Sequence, residues 1–173
     1  MNFQDTQLIG VLARAESTVS SLSSLLGGLV EKFAARGYSL YLVGGSVRDA
    51  LLGRLGNDLD FTTPARPEVV KEILDEWAET VWDTGIDFGT VSAAYKGQQI
   101  EITTFRSDSY DGQSRNPEVV YGDTLEGDLV RRDFKANAMA IELLADASFK
   151  FHDPLHGLQD IADPVSYTHL TLP

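Results

Sequence analysis

The stretch DLDFTT, residues 58–63, sets Asp58 and Asp60 two positions apart in a run that otherwise reads as strand. In extended backbone, alternate side chains share a face, their Cβ atoms roughly 6–7 Å apart. Both carboxylates therefore project together, while Leu59 and Phe61 turn into a core. Two carboxylates held side by side do not both ionise cheaply, and a divalent cation removes that cost. Oxygen ligands with no Cys or His among them suit Mg2+, or Mn2+, over zinc. By itself an Asp-x-Asp pair is more often a solvated strand edge. The residues around it have to decide.

Upstream, the apolar run YSLYLV ends on Gly44 and Gly45 and passes straight into SVRDALLG, a short helix with Ser46 as its N-cap and Gly53 as its stop. Two residues without side chains at a helix N-terminus let backbone N–H groups approach a phosphate closely. Arg48, one turn in, can add a charge-assisted contact to phosphate or sugar. The alternative is a tight left-handed turn beside a surface arginine. No third glycine completes G-x-G-x-x-G, so this is not a dinucleotide fingerprint. In QQIEITTFR, alternation puts Glu101 and Thr103 on one face and Ile100 and Ile102 on the other. A charge in an apolar, β-branched strand is awkward without a partner, although Glu101 alone could equally be an exposed hairpin residue. Three carboxylates on adjacent strands are the ligand set of a two-metal phosphoryl-transfer site. RRDFKANA places Arg131, Arg132, Asp133 and Asn137 around a helix start. Arg132 is expected to reach a bound triphosphate, and Asp133 and Asn137 to order the pocket around the sugar, unless Asp133 simply caps the helix. His152, His156 and His169 show no ligand spacing and read as surface or packing residues.

The elements that position these groups follow from periodicity. Residues 6–36 carry apolar positions at helical spacing, interrupted by STVSSLSS and by Gly27-Gly28, which predicts two helices or one irregular helix ending at Gly37. YSLYLVGG is a buried strand and DLDFTT a second one. RPEVVKEILDEWAE is an amphipathic helix with Pro67 in its first turn, and VWDTG is a brief strand or turn. GTVSAAYKGQQIEITTFR reads as a hairpin around Lys96-Gly97, and SDSYDGQSRNPEVVYGD as a mobile loop. TLEGDLVRRDFKANAMAIEL looks helical before a strand at MAIELL, and FKFHDPLHG closes the unit. Helices beside a small mixed sheet with a hairpin indicate an α+β fold rather than a regular βαβ array.

Composition sets the bounds. A chain of 173 residues, 43% hydrophobic and 23% charged, suits one globular domain with a real core. The absence of cysteine excludes disulfides, thiolate zinc and a cysteine nucleophile, and fits a cytoplasmic protein. No apolar run nears the ~20 residues of a membrane span, and the N-terminus does not read as a signal peptide. A net charge of −12 argues against a surface that coats nucleic acid generally. A polyanion bound here must be held locally, by metal ions or a few arginines.

The motifs LVGGSVRDALLGR…DLDFTT, IEITTFRSD and LVRRDFKANAMA, in that order, closely resemble the head domain of class II CCA-adding tRNA nucleotidyltransferases and the related bacterial poly(A) polymerases. The resemblance runs from about Tyr38 to Gly157, with HDPLHG similar to the closing D-P-x-x-G motif. It implies the nucleotidyltransferase fold related to polymerase β, with Asp58 and Asp60 as a Mg2+ pair and Glu101 as third carboxylate. It also implies that Gly45, Arg48 and Arg132 contact incoming CTP or ATP. Gly44, Asp133 and Asn137 complete the expected nucleotide site. The expected organisation is a helical extension over 1–37, the head over 38–163, and a tail over 164–173 that is an artefact of truncation. The expected activity is addition of CMP and AMP to the tRNA 3′ end in the cytoplasm, the alternatives being poly(A) addition or a nucleotide-binding head without turnover. The family's Glu-Asp-x-x-Arg base-selecting motif and the helical regions that grip tRNA have no counterpart before Pro173.

Overall fold

The computed structural model describes residues 3–107, 119–132 and 137–158. The first helical region forms a single helix, α1 (Phe3–Ala35), not two. Val11, Ala15, Val19, Leu22, Leu26, Leu29, Val30 and Phe33 recur on one stripe and are buried. That packing overrides the serine run. At Gly28 a side-chain carbon would stand 3.5 Å from Trp77 Nε1, ordinary van der Waals contact, so the indole packs against the helix there. Gly37, at φ 81°, ends the helical stretch.

The rest of the chain alternates around one sheet. In order come β1 (Leu40–Val43), α2 (Gly45–Leu51), β2 (Asp58–Thr63), α3 (Pro67–Trp77), β3 (Thr80–Trp82), a 3-10 turn, β4 (Thr90–Tyr95) and β5 (Gln98–Thr104). α4 (Leu125–Val130), β6 (Ala140–Leu143) and β7 (Phe149–His152) follow. The sheet has seven strands in the order β3-β4-β5-β2-β1-β6-β7, larger than the small sheet expected. β2 and β5 run parallel, and the other neighbouring pairs are antiparallel. The β4–β5 hairpin turns on Lys96 and Gly97, both at positive φ, as a two-residue turn of the type that matches strand twist requires.

The sheet has two unlike faces. Leu40, Leu42, Leu59, Phe61, Val91, Ala93, Ile100, Ile102, Ile141 and Leu143 point into one hydrophobic cluster with α1, α2 and α3. The opposite face carries Asp58, Asp60 and Glu101, which reach solvent while Asp60 and Glu101 are partly desolvated by their neighbours. Part of that face is covered by a smaller cluster in which Leu129 of α4 meets Val43, Ala138 and Ala140. Of the long helix expected after Thr124, the described residues up to Arg132 contain α4, six residues capped by Thr124 Oγ1 accepting from the Gly127 N–H. Among the described residues no helix is long and apolar enough to cross a membrane.

Candidate active site

Ser46 is not the N-cap of α2; Gly44 holds that position, at φ 65° and ψ −139°. Ser46 sits inside the helix, and its Oγ accepts from the Asp60 N–H at 3.0 Å while donating to the Asp58 carbonyl at 3.4 Å. One hydroxyl thus ties the start of α2 to the strand between the two aspartates. At the far end of α2, Gly53 (φ 72°) donates to Ala50 O and Arg54 N–H donates to Asp49 O, the paired bonds of a glycine-terminated helix.

β2 and β5 bring the carboxylates together. Asp60 lies directly beside Glu101 in the parallel register, with Asp58 two residues along the same strand face. Partial burial raises the Asp60 pKa above the usual carboxylate range; Arg132 opposes the rise and Asp58 adds to it. Glu101 is raised first by burial and then by Asp60, with Arg106 opposing and Asp58 adding a little. The three share a face without converging: among the described residues, no three His, Cys, Asp or Glu side chains form a ready-made ion cage. The donor set nonetheless fits a hard divalent cation. It is all carboxylate oxygen, and two of its members bear a charge that their surroundings disfavour.

The basic half of the site faces the start of α2. A side-chain carbon at Gly44 would stand 3.8 Å from Arg132 Nη1, and one at Gly45 would stand 3.4 Å from Arg48 Nη2. The two glycines are thereby flanked by the two guanidiniums. Arg131 is the C-cap of α4 and Arg132 follows it; the helix start expected around Asp133 lies outside the described residues. Both bond Asp128, Arg131 Nη2 at 3.2 Å and Arg132 Nη2 at 3.0 Å, and the Arg106 N–H donates to the same carboxylate at 2.9 Å. Asp133 lies outside the described residues. Asn137 precedes β6 and is partly exposed. His152, read as a packing residue, lies edge-on to Tyr41 and 3.2 Å from Glu142.

Exposed carboxylates, a side-chain-free helix start and two guanidiniums beside it are an arrangement chemically suited to a phosphorylated molecule. Residues 40–165 match the poly(A) polymerase head domain family. The chain belongs to that family. This head is 44% identical over 130 residues to a CCA-adding enzyme of Listeria innocua, across 75% of this chain and 31% of the relative. Against the CCA-adding enzyme of Staphylococcus saprophyticus it is 38% identical over 143 residues, across 82% and 34% of the two chains. Its fold is similar to that of the Bacillus stearothermophilus CCA-adding enzyme in complex with CTP, with a TM-score of 0.64, 37% identity, and coverage of 80% of this chain and 31% of that one. It is also similar to a tRNA nucleotidyltransferase complexed with a primer tRNA and an incoming ATP analog, with a TM-score of 0.61, 28% identity, and coverage of 87% and 40%. The α+β, polymerase-β-like fold of these head domains is therefore the fold of this chain. The chain spans about a third of the length of the curated relatives it matches.

Three residues of the head escaped the reading of motifs. Ser46 looked like a cap because it opens a helical run after glycine. Arg106 closes TTFR, where nothing local marks it. Asp128 left one local trace, its spacing of three and four residues from Arg131 and Arg132 on a helix.

Proposed function

We propose that this chain is the catalytic head of a template-independent, cytoplasmic RNA nucleotidyltransferase that adds CMP and AMP from CTP and ATP to the tRNA 3′ end. The observation that carries the reading is the Asp60–Glu101 pair in the β2–β5 register, opposite a glycine helix start flanked by Arg48 and Arg132. Asp58, Asp60 and Glu101 are the residues that hold Mg2+, or Mn2+. Bound there, the ions supply activation of the attacking 3′-hydroxyl and neutralisation of the triphosphate and the departing pyrophosphate. The α2 N-terminus, Gly44 and Gly45 offer backbone N–H groups to the phosphates. Arg48 and Arg132 orient the triphosphate by charge-assisted bonds, with Asp133 and Asn137 around the sugar. The relatives' names, CCA-adding enzyme, and the neighbours complexed with CTP or an ATP analog support nucleotide and tRNA as the partners.

The test is incorporation of labelled CTP and ATP into tRNA lacking its CCA end, by this chain and by the longest product of its gene. The longest product is expected to add both nucleotides, and Asp58→Ala or Asp60→Ala to abolish addition while circular dichroism stays unchanged. Addition of A alone in long tracts would favour poly(A) synthesis. Near-full activity in either aspartate variant would remove them from the metal site.

A further inference from the structure

Asp128 has no solvent-exposed side-chain surface, in a chain where the other carboxylates of the site reach water. A buried carboxylate needs its charge matched and its oxygens bonded, and Asp128 has both. Oδ1 accepts from the Arg106 N–H and from Arg131, and Oδ2 accepts from Arg132. Two guanidiniums, of Arg131 and Arg132, pair with this single carboxylate, and that of Arg106 turns to the Phe88 carbonyl. Burial, followed by the proximity of Arg131, presses the Arg106 pKa below its ordinary value; Asp128 and Tyr121 oppose the fall and Arg132 adds to it. The Nε atoms of Arg106, Arg131 and Arg132 are all buried with no hydrogen-bond partner among the described residues. Asp128 supplies negative charge to all three arginines, and it also has a geometric effect. Its geometric effect is on direction. Arg132 gives Nη2 to Asp128, and Nη1 lies beside Gly44 at the start of α2. A planar guanidinium tied at one nitrogen presents the other along a fixed line, at less cost in side-chain freedom than a free arginine pays on binding.

We propose that Asp128 is a positioning residue, aiming Arg132 at the phosphates of a nucleotide bound at the α2 N-terminus. The role rests on the reading of Arg132 as a triphosphate contact and extends it. The same carboxylate pins the peptide of Arg106, just beyond β5, so the end of the strand that carries Glu101 and the segment of Arg132 just after α4 share one buried anchor.

Calorimetry of Mg2+–ATP binding to this chain tests the role in four forms: unaltered, Arg132→Gln, Asp128→Asn and the double variant. Each single change is expected to weaken binding about tenfold, and the double variant to lie within about twofold of Arg132→Gln, because the two residues act as a unit. Arg132→Gln binding like the unaltered chain would defeat the reading on which the proposal rests. A weakened Arg132→Gln beside an unchanged Asp128→Asn, or effects that multiply in the double variant, would overturn the positioning role alone. Asp128→Glu, which keeps the charge but displaces it by one methylene, is run alongside and is expected to fold and to bind weakly. If neither Asp128 variant folds, Asp128 is a requirement of folding and the positioning role is rejected.

Discussion

Asp60 stands between opposing influences: burial and Asp58 disfavour its charge, and Arg132 favours it, with burial prevailing. Glu101 is raised in the same direction. A carboxyl whose folded pKa exceeds its unfolded value binds more protons folded than unfolded in the window between the two. Its stabilising contribution is then complete below the unfolded pKa and is lost as pH rises through the raised folded value. In the presence of a chelator, Asp60→Asn is expected to melt at a higher temperature than the unaltered chain at pH 7. That gap should close as pH falls below about 4, where the aspartate is protonated anyway. A lower melting temperature at pH 7 would show that the attraction to Arg132 outweighs burial. Glu101 makes a second, kinetic prediction. Lying at the far side of the carboxylate group from Arg48 and Arg132, Glu101→Gln should depress kcat far more than it raises the nucleotide KM in the incorporation assay. A pure KM effect would take Glu101 out of the chemistry.

At the scale of elements, the start of α2 and the whole of α1 carry distinct demands. Gly44 combines φ 65° with ψ −139°, a region that L side chains enter only under strain. Gly44→Ala is expected to lower stability to chemical denaturation by on the order of 1–3 kcal/mol and to weaken Mg2+–ATP binding as well. Gly45→Ala meets only the end of a flexible arginine and should cost markedly less stability. α1 was expected to be an extension, yet Leu26, Leu29 and Phe33 are fully buried in the cluster that also holds Leu42 and Phe61. Leu26→Ala is therefore expected to cost about 2–5 kcal/mol, within a single transition seen alike by far-ultraviolet circular dichroism and tryptophan fluorescence. Two separated transitions would make α1 an independent appendage. The sequence left two helices and one irregular helix open, because its serines and glycines are local while the buried stripe that joins α1 packs against residues distant in the chain.

At the scale of the molecule, a net charge of −12 contrasts with the gathering of Arg48, Arg106, Arg131 and Arg132 on one side of the sheet face. The groups assigned to the nucleotide address phosphates and sugar, which every nucleoside triphosphate shares, and none is assigned to a base edge. Discrimination requires hydrogen bonds that the wrong base leaves unmade. Calorimetry on this chain is expected to return dissociation constants for CTP, ATP, GTP and UTP within roughly tenfold of one another, a spread under about 1.4 kcal/mol. Strong rejection of GTP would show that the head itself reads the base.

By itself the sequence determined whatever depends on short-range periodicity. The two-residue repeat of a strand put Asp58 and Asp60 on the face opposite Leu59 and Phe61, and Glu101 opposite Ile100 and Ile102. The glycines marked the start of α2 and the turn after Tyr95, because positive φ has a residue signature. The order of motifs was enough to indicate the family. Tertiary structure alone decided which strands are neighbours, and so that Asp60 faces Glu101 across a parallel pair joined through a helix and an antiparallel hairpin. It decided that Ser46 bonds β2 rather than capping its own helix, and that Asp128 lies buried under two arginines. Those facts rest on contacts between residues far apart in the chain, whose pairing follows from packing one whole face of the sheet rather than from any local pattern.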